Sequence, residues 1–146
     1  MKHKNNKGLY TEAFRKDLYR AYKQTLNEHM QEDGYIIFDR VVEDTINKSS
    51  KRFWVSEQQA YSAIRHLLDG KISDKALPSK MEMFLEIYSR VIVMRRKFPN
   101  LELREVVNSV CEQQAPKFYI TFKSARTILC NIIKCKKEQK IQRALQ

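Results

Sequence analysis

Moved along itself by 65 positions, this sequence falls on its own pattern. Val41-Val42 meets Val106-Val107, Ile46 meets Cys111, Phe53 meets Phe118, Ala60 meets Ala125, Ile64 meets Leu129, and Leu67-Leu68 meets Ile132-Ile133. The phrase Arg52-Phe53-Trp54-Val55-Ser56 lands on Lys117-Phe118-Tyr119-Ile120-Thr121, keeping charge, aromaticity, branching and hydroxyl in order. Gly34 meets Pro99, so the breakers align as well. Upstream the offset becomes 66, pairing Leu18 with Phe84 and Tyr22 with Tyr88, as if one residue were inserted between helices. Self-similarity at a fixed period means one supersecondary unit used twice, and it restricts the chain to folds that can be built that way.

The period inside each unit is helical. In the first, Leu18, Tyr22, Leu26 and Met30 recur every four residues before Gly34, then Phe38, Val42 and Ile46. Ser56 is a hydroxyl N-cap before Ala60, Ile64 and Leu67, and Gly70 is placed to end that helix. In the second, Phe84, Ile87, Val91 and Met94 run up to Pro99, Leu103, Val107 and Val110 follow, and Thr121 caps Ala125, Leu129 and Ile132. The expected fold is all-α, about six helices in two tandem three-helix repeats of helix-turn-helix-like design. The expected division is a basic tail at 1–9, a first repeat at 10–71, a polar linker at 72–79 containing Pro78, a second repeat at 80–138, and a basic tail at 139–146. Three Gly and three Pro in 146 residues leave little material for hairpins. Units of about 60 residues are marginal alone, so two sharing a core is the economical arrangement.

Charge points to a partner class. The formal net charge is +11, from 28 Lys and Arg against 17 Asp and Glu. Residues 10–71 hold ten basic and ten acidic side chains, whereas 72–146 hold fifteen and seven, and from Lys117 to Arg143 the only acid is Glu138. Such an excess favours polyanions: nucleic acid first, an anionic membrane surface second. The membrane reading is the weaker, because Lys134 to Arg143 carries few large apolar residues. No apolar run reaches 18 residues, and the basic start is followed by Leu9-Tyr10-Thr11-Glu12 in place of an apolar core. No signal peptide and a cytoplasmic location are therefore expected.

Catalytic constellations are missing from the pattern. Cys111, Cys130 and Cys135 are odd in number with no Cys-x-x-Cys spacing and read as buried thiols. His3, His29 and His66 are isolated, without the paired spacing a metal needs. Glu32-Asp33 and Glu43-Asp44 are neighbours, which on a helix point apart and so do not converge for acid–base work. No glycine-rich nucleotide loop is present. No enzyme activity, cofactor, metal or small-molecule substrate is expected.

Val55-Ser56-Glu57-Gln58-Gln59-Ala60-Tyr61-Ser62-Ala63-Ile64 shows a branched residue, a hydroxyl cap, three polar residues, a small residue and an apolar residue four further on. Ile120-Thr121-Phe122-Lys123-Ser124-Ala125-Arg126-Thr127-Ile128-Leu129 has a similar register. Both phrases resemble the recognition helix of helix-turn-helix repressors of the lac type. The resemblance covers about ten residues in each unit, and the sequence departs from it at residues 47–54, which lack the usual glycine turn. It implies that first-turn polar residues face a major groove. The expected nucleic-acid set is Lys117, Thr121, Lys123, Ser124, Arg126, Thr127, Asn131 and Lys134 in the second unit, and Arg52, Ser56, Gln58, Ser62 and Arg65 in the first. Duplex DNA is preferred to RNA as the ligand.

The same residues admit a plainer reading, in which Ser56 and Thr121 only cap core helices and the aromatic pairs fill space between them. Ala115-Pro116-Lys117-Phe118-Tyr119-Ile120-Thr121 and Lys80-Met81-Glu82-Met83-Phe84-Leu85-Glu86-Ile87-Tyr88 also resemble phrases of short tandem-repeat proteins from gut anaerobic bacteria and their phages. That likeness implies a family without an activity. The alternative is a phage or mobile-element structural or adaptor protein that binds another protein through the repeated aromatic phrase; in the nucleic-acid reading the neutral first unit either reads bases or makes a homodimer.

Overall fold

The computed structural model describes residues 4–71 and 78–146. Among the described residues are six helices and no strand: α1 (Lys4–Asp33), α2 (Phe38–Ile46), α3 (Glu57–Leu68), α4 (Pro78–Lys97), α5 (Leu103–Cys111) and α6 (Phe122–Ala144). The all-α class is as expected.

Local chemistry explains the helix ends. Ser56 accepts a hydrogen bond from the Gln59 N–H and Thr121 one from the Ser124 N–H, each at 3.2 Å, satisfying a first-turn donor that lacks a helical partner. Gly70, at φ +75°, closes α3: its N–H donates to the Leu67 carbonyl and the Lys71 N–H to that of His66. Gly34 does the same for α1 through one bond to the Met30 carbonyl. Pro78 is the first residue of α4, where its missing N–H costs nothing. Of the expected linker, 72–77 lie outside the described residues, and Pro78 and Ser79 belong to the helix.

Both expected tails need correction. α1 begins at Lys4, and α6 continues to Ala144, so most of 1–9 and of 139–146 is helical. Residues 133–144 contain neither Gly nor Pro and are rich in Lys, Gln and Arg, which sustain a helix on the surface.

The larger correction concerns which helices pack together. The chain forms two compact units, residues 1–49 with 120–146 (unit 1) and residues 50–119 (unit 2), not 10–71 and 80–138. In unit 1, α1, α2 and α6 pack pairwise; in unit 2, α3, α4 and α5 do. The third helix of each sequence repeat has therefore gone to the first two helices of the other.

The physical reason lies in the connector before α3. Without a glycine, residues 47–56 make no tight return onto α2. Ser50 and Ala115 exchange both backbone hydrogen bonds at 3.0 Å, and the Phe53 N–H donates to the Cys111 carbonyl at the end of α5, also at 3.0 Å. These bonds deliver α3 to α5. Ser50 and Ala115 are 65 positions apart, so each pairs with its own counterpart in the repeat. Because α2 and α5 offer the same buried pairs, Val41-Val42 and Val106-Val107, a third helix finds an equivalent seat on either, as in a swap of identical elements.

Each unit has its own interior. Unit 1 buries Leu18, Ala21, Tyr22 and Thr25 of α1, Val41, Val42 and Thr45 of α2, and Ala125, Leu129 and Ile132 of α6. The two buried threonines satisfy their hydroxyls on carbonyls four residues back, Ala21 and Val41. Unit 2 packs Phe53, Val55, Ala60, Ile64, Met83, Ile87, Val91, Val106, Val107, Val110, Cys111 and Ala115 into one cluster. Phe53 and Phe118 are both buried, as the repeated aromatic phrase implies for space-filling residues. Of the three cysteines, Cys111 is buried and its thiol is pushed up to about 11 by desolvation, whereas Cys130 and Cys135 are exposed, against expectation. Both lie on α6 outside the Ala125, Leu129, Ile132 stripe that meets the core.

Candidate nucleic-acid interface

The expected site residues divide between the units. On α6, Lys123, Thr127, Asn131 and Lys134 form one exposed stripe at helical spacing. Thr121 and Ser124 are taken up by the cap, their hydroxyls bonded at 2.9 Å, and the Thr127 hydroxyl donates to the Lys123 carbonyl. Arg126 is not a free cation. Its Nε donates to Asp39 of α2 at 2.9 Å, and its guanidinium lies 5.6 Å from the centre of the Phe38 ring. The carboxylate beside it raises the Arg126 pKa further.

In unit 2, Lys117 is paired with Glu82 at 3.0 Å and lies over the Tyr119 ring. Arg52 donates to the Phe53 carbonyl and covers the Trp54 ring at 5.6 Å. Ser56 is the α3 cap. Gln58, Ser62 and Arg65 are exposed along one side of α3, and the Ser62 carbonyl is bonded to the His66 ring. A helix-turn-helix pair needs α2 followed closely by α3, but α3 is seated on α4 and α5. The lac-type register marks well-capped helices here, not an assembled motif.

A different cationic surface lies between α1 and α6 in unit 1. Glu12, Arg15, Lys16, Tyr19, Arg20 and Lys23 come from one face of α1, and Ile132, Cys135, Lys136 and Gln139 from one face of α6. Together they line an open groove. Ile132 belongs to the buried set below it. Lys23 Nζ lies 5.1 Å and Lys136 Nζ 4.7 Å from the centre of the Tyr19 ring, so two lysines from different helices are held at one ring. Each such contact is worth about 0.5–1 kcal/mol at an exposed site, enough to orient an ammonium without neutralising it.

Arg20 is committed to the structure, bonded twice to buried Asp17 and once to the Ser49 carbonyl. Arg15, Lys16, Lys23 and Lys136 enter no ion pair among the described residues. Among the described residues, Glu12 is the one acid on the groove wall. Gathering like charges costs self-repulsion, and a polyanion in the groove relieves it.

Sequence reasoning missed this groove because its walls are more than a hundred residues apart. The signal within reach was the run Arg15, Lys16, Arg20 and Lys23, four cations within nine residues around Tyr19. What no spacing rule could show was that α6 would lie against it.

Among the described residues no group of three or more His, Cys, Asp or Glu side chains is placed to hold a metal ion. No helix among them is long and apolar enough to cross a membrane. His29 meets Asp44 at 2.6 Å. No family model, curated protein or solved structure matches the chain.

Proposed function

We propose that this chain is a non-enzymatic nucleic-acid-binding protein that grips the phosphate backbone of a duplex, DNA in the first instance, through the α1–α6 groove of unit 1. The observation that carries this reading is the convergence of Arg15, Lys16, Lys23 and Lys136 on one groove without ion-pair partners among the described residues. Lysine and arginine in such an array bind phosphates by charge and counterion release, independently of sequence.

A duplex is favoured over a single strand because Tyr19, the aromatic ring of the groove, already carries two ammonium groups and is a poor platform for stacking bases. The outward stripe of α6, Lys123, Thr127, Asn131 and Lys134, supplies further contacts on another side of the same helix. The adaptor reading required Trp54 and Tyr119 to form an exposed apolar patch. Both rings are half-buried, and Tyr119 stacks on Phe53 at 6.1 Å, so that patch is not what these two rings form.

Titrating fluorescent duplex DNA, single-stranded DNA and RNA at several salt concentrations tests the proposal. Duplex should bind most tightly, with affinity falling steeply as salt rises. The combined change Lys16→Ala, Lys23→Ala and Lys136→Ala should reduce the salt slope by roughly 3, about one per lost phosphate contact. Absence of salt-dependent binding to any nucleic acid at low ionic strength would end this reading.

A further inference from the structure

Unit 2 contains a cationic feature that the groove of unit 1 does not use. Tyr61 on α3 has two guanidinium groups at its ring: Arg104, from the first turn of α5, at 4.1 Å, and Arg65, one turn further along α3, at 5.9 Å. Their carbons are thus no farther apart than the sum of those distances. Both arginines are exposed, and neither enters an ion pair among the described residues. Arg90, another guanidinium near this core, differs on each count: it is half-buried, paired with Glu86 and bonded to the Gln114 carbonyl.

We infer that Arg65 and Arg104 form a second phosphate-binding site, so that one chain holds two nucleic-acid segments. This rests on the nucleic-acid reading of the groove. A guanidinium laid against an aromatic ring has its plane fixed while its N–H edge stays free, and that edge matches two phosphate oxygens at once. Two such groups at one ring repel each other until an anion lies between or across them. Gln58 and Ser62 continue the same exposed side of α3, giving neutral donors and acceptors beside the charged pair, the composition that contacts sugar, phosphate and base edges. The site differs from the groove in kind. The groove is mostly lysine, a set of point charges, whereas this pair is two planar guanidinium forks at one ring.

Sedimentation equilibrium of the full chain with excess short duplex at low salt counts duplexes per chain. The wild type should hold two. Arg65→Ala with Arg104→Ala should hold one, and circular dichroism should show its helix content unchanged. Arg65→Lys with Arg104→Lys, which keeps the charge and loses the fork, should regain part of the second occupancy. The triple alanine variant of the groove should also hold one, and combining both sets should leave none. An Arg65→Ala and Arg104→Ala variant that holds as many duplexes as the wild type, whether two or one, overturns the second site alone. A groove variant that still holds two overturns the groove, and a wild type that binds none overturns both.

Discussion

Units 1 and 2 use the same parts and leave different charges over. Each is a trio of helices with a nine-residue middle helix, α2 or α5, whose paired valines are fully buried, and a third helix capped by a hydroxyl. In unit 2 the cations nearest the core are consumed by structure: Arg90 holds Glu86 and the Gln114 carbonyl, and Lys117 holds Glu82. In unit 1, Arg20, Lys48 and Arg126 are similarly engaged, but the side on which α6 meets α1 retains lysines and an arginine with no ion pair among the described residues. A scaffold can thus be repeated while its surface is specialised, because the core uses one stripe of each helix and leaves the others free.

The largest test of the shared scaffold is to empty its interior. Phe53→Ala and Phe118→Ala should each destabilise by roughly 3–5 kcal/mol in denaturant unfolding, since both rings are buried, at 0% and 4% exposed. A loss below about 1 kcal/mol at either position would show that its ring is not part of a packed core.

Alkaline pH should separate the units next. Folded Cys111 stays neutral up to about 11, while an unfolded thiol ionises near 8.5. Its contribution is complete below that lower value and is lost as pH climbs through the folded value. Tyr119, raised to about 12 by burial, adds to the loss from about pH 10 upward. Urea midpoints measured between pH 8 and 10.5 should fall by the equivalent of about 2 kcal/mol, and Cys111→Ala should flatten most of that fall. In unit 1, Tyr22 is also raised by burial, but a phenol begins to titrate later than a thiol.

Smaller still are the caps. Ser56→Ala and Thr121→Ala should each cost about 1 kcal/mol, nearly equal in the two units because both side chains accept the same bond at 3.2 Å. The smallest effect on stability belongs to the exposed cations. Lys16→Ala and Lys136→Ala should stay within about 0.5 kcal/mol while weakening duplex binding. Arg126→Ala should weaken binding less than Lys136→Ala, because Asp39 already neutralises Arg126.

Much of this fold was legible in the sequence, and the illegible part has a clear cause. The 65-residue shift, the apolar spacing, the two hydroxyl caps and Gly70 mark where helices begin, end and turn inward, because those are local effects. Which valine pair receives which third helix is not local. Val41-Val42 and Val106-Val107 are alike, so the repeat that identifies the helices also makes their partners ambiguous. The candidate site inherits that ambiguity. Lys123, Asn131 and Lys134 were found as exposed polar residues of α6, but Arg15, Lys16 and Lys23 join Lys136 only once α6 is known to lie on α1. Arg65 was likewise visible on α3, and its companion Arg104 was not.

The seating of α6 on α1 is what both the fold and the groove depend on, and a spin label tests it directly. Cys135 is exposed in the groove, while Cys111 is buried with a thiol too basic to react at neutral pH. With Cys130→Ser, a nitroxide attached at Cys135 should broaden the backbone amide signals of residues 12–23 beyond detection. If those amides keep their full intensity, α6 does not lie on α1, and the groove with its proposed ligand is lost with it.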